Sequence, residues 1–276
     1  MLANWYNKWQ KLKRLMLQIM SLFYHRTFNK TVKKQLKNPK SIPIIIISFN
    51  QLYYLKKLVD FLLKHQYQNI VIVDNQSTYP PLLNYLDSIK NKVTIHYLSA
   101  NSGHLSFWKH QHLVHQYTKG YYALTDPDIL PLTECPHDFL NTFRILLDKA
   151  YDRTKVGFSL KLDDIPNTNP NKNAILEWES QFWKTKIHPL AWKAEIDTTF
   201  ALYRPGYNYR LKHFTKAWRT DYPIQAQHGG WYVDIKNLTD EQSYYLKTAN
   251  ASASWQIDES GELINAIHKP LYTNGA

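Results

Sequence analysis

Asp126 and Asp128 stand one residue apart at the end of the apolar run Tyr121-Tyr122-Ala123-Leu124-Thr125, and Pro131 closes the stretch. In an extended strand, residues i and i+2 point to the same side, so the two carboxylates can converge on one point. Hard oxygen ligands suit Mg²⁺ or Mn²⁺, ions that take one or two carboxylates together with phosphate oxygens of a substrate. The same triplet suits a polar turn, since Asp and Pro are common turn formers. Its surroundings decide between the two. Other residues able to do chemistry follow later in the chain. Asp163 and Asp164 close a strand-like run and fit either sugar hydroxyls or a solvated turn. Glu177-Trp178-Glu179, with Phe182-Trp183, sets rings beside carboxylates, as an acceptor-sugar platform or as core packing.

The elements that must position these groups are legible from periodicity. Residues 42–50 form a β-branched run and 69–73 a second, each the mark of a strand buried on both faces of a parallel sheet. Helical spacing covers Leu52 to Lys64 and Pro81 to Ile89, and a third strand is predicted over Val93 to Leu98. Repeated strand and helix units predict an α/β doubly wound sheet, with ligands at the carboxyl ends of its strands. Ser48, Asn50, Asp74 and Asp126 all fall at such ends. No glycine-rich fingerprint follows the first strand, which speaks against a dinucleotide-binding loop or a P-loop. Beyond these come a helix over 135–155, a strand over 156–162 and a loop over 167–173 that suits a mobile flap. Helical signal returns around Asp240–Thr248, and residues 236–276 are expected to wrap the fold.

Four stretches in order, residues 42–50, 70–78 (Ile-Val-Ile-Val-Asp-Asn-Gln-Ser-Thr), Asn101-Ser102-Gly103-His104 and Asp126-Pro127-Asp128, carry a resemblance. The series resembles the nucleotide-sugar glycosyltransferases of the GT-A fold, especially the large family 2 group, over residues 41–135. That resemblance implies a Rossmann-like GT-A domain with a mixed, mostly parallel central sheet flanked by helices. It implies that Ser48, Phe49 and Asn50 touch the nucleotide, that Asp74 accepts from the base or ribose, and that Asn101 and Gly103 let the backbone approach it. Asp126 and Asp128 would handle the ribose and a metal–diphosphate, with Mn²⁺ or Mg²⁺ as cofactor. In such enzymes a late histidine can serve as a further metal ligand or diphosphate contact, which makes His228 a candidate. Trp231 beside it is a candidate sugar contact. Asp197 leads the next strand-like run and is the first choice as general base of an inverting transfer, with Glu179 a rival. The group's usual Glu-Asp base motif is absent, which leaves the choice of base open. The implied donor is a nucleoside diphosphate sugar, UDP-sugar first, and the implied acceptor a glycan or lipid-linked hydroxyl.

The formal charge of +12 looks at first like a nucleic-acid signature. Residues 1–40 hold ten Lys or Arg and no acid, so the other residues carry +2, and a nucleic-acid partner is not expected. Within residues 1–30, Trp5, Trp9, Leu12, Met16, Ile19 and Phe23 make one helical stripe, with Lys8, Lys11, Arg14 and Gln18 off it. An amphipathic helix of this kind suits an anionic membrane surface, where each basic residue contributes about 1 kcal/mol. The alternative is packing on the protein's own body or in an oligomer seam. The expected organisation is therefore a basic membrane-associating arm over 1–40, ending in a linker over 30–40, and a glycosyltransferase domain over 41–276. Within that domain, 41–135 would hold the nucleotide and 136–276 the acceptor. A single cysteine, Cys135, read as an inert structural thiol, fits a reducing compartment and a cytoplasmic, peripheral location on the inner face of the membrane. Two rival readings are a sugar-phosphate nucleotidylyltransferase, which needs a Gly- and Arg-rich first loop, and a non-catalytic basic binding module.

Overall fold

A computed structural model describes residues 2–206 and 215–249; of the wrap expected over 236–276, the part from residue 250 on lies outside them. The chain opens with two helices, α1 (Leu2–Phe28) and α2 (Lys30–Lys37). The first half of the domain follows as β1 (Ile44–Ser48), α3 (Tyr53–Lys64), β2 (Ile70–Asp74), α4 (Pro80–Ile89), β3 (Thr94–Tyr97), α5 (Ser106–Lys109), α6 (Gln111–Tyr117) and β4 (Tyr122–Thr125). After it come β5 (Ile129–Pro131), α7 (Phe139–Lys149), β6 (Lys155–Gly157), β7 (Ser159–Leu160), α8 (Lys172–Ser180), β8 (Lys186–His188) and β9 (Ala191–Lys193). The described chain ends with β10 (Ala201–Tyr203), β11 (Ala217–Thr220), β12 (Gln225–His228) and α9 (Asp240–Thr248).

Nine strands form one mixed sheet in the order β3-β2-β1-β4-β10-β6-β11-β9-β8. β3, β2, β1 and β4 run parallel, while β10 enters antiparallel between β4 and β6. Helices cover both faces, giving the Rossmann-like GT-A architecture that the sequence resemblance implies. The two-residue period of a strand is visible in the cores. Ile44, Ile46, Ile70 and Ile72 pack with α3, α4 and α7; Ile45, Ile47, Val71 and Val73 pack with Phe107, Trp108, Leu113 and Val114 of α5 and α6. Burial on both faces is why β1 and β2 read as unbroken apolar runs.

Two expectations about elements need correction. The strand expected over 156–162 is two: β6 lies in the large sheet, and β7 in a three-stranded sheet ordered β5-β12-β7. Gly157, the last residue of β6, is closely packed: a Cβ there would sit 2.3 Å from the Phe200 carbonyl. The linker expected over 30–40 is largely helix α2, capped by Asn29, with Val32 in the core. Gln35 accepts from the Tyr121 N–H and donates to the Tyr121 carbonyl, both at 2.8 Å, so its amide acts like an extra strand residue beside β4. The body of the protein thus begins before residue 40. α1 leaves Trp5, Trp9, Leu12, Met16 and Phe23 exposed, as the stripe predicts; the side chains of Lys11 and Arg14 lie outside the description. Among the described residues no helix is long and apolar enough to cross a membrane.

Candidate active site

A cleft of about 970 Å³ opens at the carboxyl ends of β1, β2 and β4, within the size range of ligand pockets. Phe49, Asn101, Gly103, Asp126, Asp128, Asp197 and His228 all line it. They come from separate stretches of the chain. β4 delivers Asp126; the turn into β5 delivers Asp128; the loop before β10 brings Asp197 and Thr198. β12 pairs antiparallel with β5, setting His228 opposite Ile129 and so beside Asp128. Gly103 adopts φ +74°, a conformation that glycine takes without strain.

The floor is acidic. Asp126 accepts from Thr198, and burial, then the charges of Asp128 and Asp197, push its pKa up to about 8. Asp128 accepts from the Gly230 N–H at 3.1 Å, and its Oδ2 lies 3.4 Å from His228 Nδ1. The same Gly230 N–H reaches His228 Nδ1 at 3.2 Å. The imidazole stacks on Trp231, with centroids 5.0 Å apart and planes 10° off parallel. Gly229 fits under Tyr54, where a Cβ would meet the ring at 2.5 Å. Over the cleft lies α9, whose Tyr245 packs edge-on against Phe49; burial, then Asp128 and Asp126, push its phenol above the usual range.

Several expected site residues stand elsewhere. Ser48 and Asn50 are fully buried beneath the cleft wall, so neither can touch a nucleotide as placed. Asn50, at φ +48°, accepts from the Thr78 and Tyr79 N–H groups and donates to Thr248, tying two loops to the end of α9. Asp74 is buried as well; its neighbour Asn75 takes the lining position. Asp74 Oδ2 accepts from the Ser77 N–H, Oδ1 has no partner among the described residues, and burial raises its pKa against the hydrogen bonds from Ser77. Glu179 is corrected from base to structural anion: it is buried in an ion pair with Arg219 at 2.6 Å, outside the cleft. Trp178 packs against Phe182 and not on the cleft. Trp231 is buried behind His228, leaving no face for a sugar.

Asp163 points to solvent near Lys161, away from the cleft. Asp164 stands one step behind the cleft, accepting from Tyr232, Lys161 and Gln227; these bonds outweigh burial and hold its pKa low. The loop over 167–173, expected as a mobile flap, is tied down by Asn169, which donates to the Trp231 carbonyl at 2.8 Å. Cys135 is buried, and burial followed by Asp138 pushes its thiol up to about 12, an inert setting. Lining residues that the sequence did not single out are Tyr54, Lys57, Asn75, Thr198, Gln227 and Tyr245. His104 also lines the cleft. Only Asn75 carried a local signal, its place just after a strand.

The expected metal triad is not assembled: among the described residues no three His, Cys, Asp or Glu side chains are grouped to hold an ion. His228 Nδ1 lies between the Gly230 N–H and Asp128 Oδ2, at 3.2 and 3.4 Å. Two carboxylates remain, and a hard cation sharing them with phosphate oxygens needs no more. Burial first, and then the charges of Asp128 and Asp197, raise Asp126, and a cation there would relieve the charge repulsion.

No family model and no curated protein matches this sequence. Among solved structures the chain is similar to a mannosyltransferase from Pyrobaculum calidifontis in complex with GDP-Man and Mn²⁺, at 14% identity and a TM-score of 0.44. That match covers 88% of this chain and 73% of the other. It is also similar to a glucose-1-phosphate thymidylyltransferase from Bacillus anthracis in complex with sucrose, at 11% identity and a TM-score of 0.34, covering 82% and 95%. Likeness at this level carries no argument for a shared activity.

Proposed function

We propose that this chain is a metal-dependent glycosyltransferase, moving a sugar from a nucleoside diphosphate sugar to a hydroxyl of a growing glycan or lipid-linked acceptor. The observation that carries this is the gathering of Asp126, Asp128 and Asp197 in one cleft at the carboxyl ends of parallel strands. Among the described lining residues, those three acids with Asp240 and Glu241 face Lys57 as the sole Lys or Arg. A diphosphate entering so acidic a site requires a cation to share its charge. Mn²⁺ or Mg²⁺ held by Asp126 and Asp128 would supply Lewis-acid stabilisation of the leaving diphosphate. His228, lining the same cleft, contacts the diphosphate. Asn101 and Gly103 let the nucleotide approach the backbone. Asp197 takes the proton of the acceptor hydroxyl in an inverting displacement, a role contributing about 10²–10⁴ in rate. The arm, with its exposed Trp and Met stripe, holds the enzyme on an anionic membrane.

A panel of UDP-sugars and GDP-mannose, with Mn²⁺ present, tests the donor. One member should raise the melting temperature and be turned over, since a ligand of the native state stabilises it. EDTA and Asp128→Ala should each lower that turnover by about 10²-fold or more. Undiminished turnover in both would remove the metal role, and a panel without any binder would remove the reading.

A further inference from the structure

Lys155, at the start of β6, is fully buried, which is rare for a lysine because the ammonium is costly to take from water. Its Nζ donates to the Asp197 carbonyl at 2.5 Å and to the Tyr203 hydroxyl at 3.2 Å, and lies 5.1 Å from the Tyr203 ring centroid. Of the charges around it, Asp197, Asp126 and Glu195 favour the ammonium and Arg219 opposes it; burial outweighs them and lowers the pKa to about 7. The fold therefore holds this cation against its own solvation. A methionine of similar length would fill the space without that cost. The group it grips belongs to the loop over 194–200, which has no helix or strand pairing and carries Asp197 and Thr198 to Asp126.

We infer that Lys155 is a positioning residue for the active site: by holding the Asp197 carbonyl it sets where the Asp197 carboxylate stands relative to Asp126. This rests on the glycosyltransferase reading for the chemistry that Asp197 performs, but the placement itself can be measured without turnover. In the full chain, Lys155→Met should speed amide hydrogen exchange across 195–199 by about tenfold or more while β1 and β2 keep their protection. Where a donor is turned over, kcat should fall by about 10²-fold with donor KM nearly unchanged, as for a catalytic group displaced by a fraction of its reach. Lys155→Arg, which keeps a buried donor, should recover part of both effects. Tyr203→Phe removes the hydroxyl that Lys155 also donates to and should leave kcat within about threefold.

Unchanged exchange across 195–199 in Lys155→Met overturns the inference. So does a rise shared with β1 and β2, which would mark a general loss of stability. Should the wild-type chain turn over no nucleotide sugar, the proposed function falls, while hydrogen exchange still decides what Lys155 holds.

Discussion

At the scale of single residues, the cleft depends on carboxylates kept close at an electrostatic cost. Asp126 titrates at about 8 in the fold against 3.8 when unfolded. The folded state then holds a proton that the unfolded chain has lost, so stability falls as pH rises between those values. Lys155 acts in the opposite sense only above about 7, where the fold releases a proton that the unfolded chain keeps up to 10.5. The clean window is thus below pH 7. In metal-free protein, Asp126→Asn should gain melting temperature over wild type, and the gain should grow from about pH 5 to about pH 7. Comparison with wild type cancels His25 and His96, whose pKa values burial lowers and which titrate in the same range. Saturating Mn²⁺ should shrink the gain, because a bound cation favours the ionised pair. A pH-independent difference would mean that Asp126 is ionised throughout.

At the scale of elements, the site is built where strands end and loops are pinned. α2 shows how firmly the start of the chain is joined to it. Gln35→Ala would leave both the N–H and the carbonyl of Tyr121 without their partner, one residue before β4, whose far end carries Asp126. Each buried unpaired group costs about 1–3 kcal/mol, so the melting temperature should fall by several degrees in a thermal scan. A change within error would mean that α2 is a loosely attached linker after all. The contrast with β1 and β2 is instructive. Their runs of isoleucine and valine admit one solution, a strand covered on both sides, whereas a basic helix with two inward residues looks like a linker until its partner strand is known.

At the scale of the whole molecule, the basic excess lies in residues 1–40 and exposed apolar surface is concentrated in α1, while the cleft lies at the carboxyl ends of the sheet. Removing 1–28 should leave donor turnover within about twofold and abolish binding to anionic vesicles, a loss that high salt should mimic in the intact chain. Removing 1–37 takes Val32 and Gln35 with it and should destabilise the fold. Sedimentation with phosphatidylserine vesicles and a thermal scan check both. Retained vesicle binding by the shorter deletion would place the membrane contact elsewhere.

By itself the sequence determined the layered α/β fold and the carboxyl-end location of the site, because strand and helix periods are local properties; Asp126 and Asp128 fall after β4 ends, in the turn into β5, so the i, i+2 rule of a strand does not place them. Tertiary structure alone decided the rest. His228 reaches Asp128 only through the pairing of β12 with β5, and Tyr245 reaches the cleft only through the docking of α9. Glu179 was lost to Arg219, forty residues away, and Asn50 to the backbone of Thr78 and Tyr79. Lys155 is silent in the sequence, since a lysine leading a three-residue strand looks like any surface cation. Which polar side chain faces a ligand and which is taken up by a distant partner depends on contacts that no local pattern encodes.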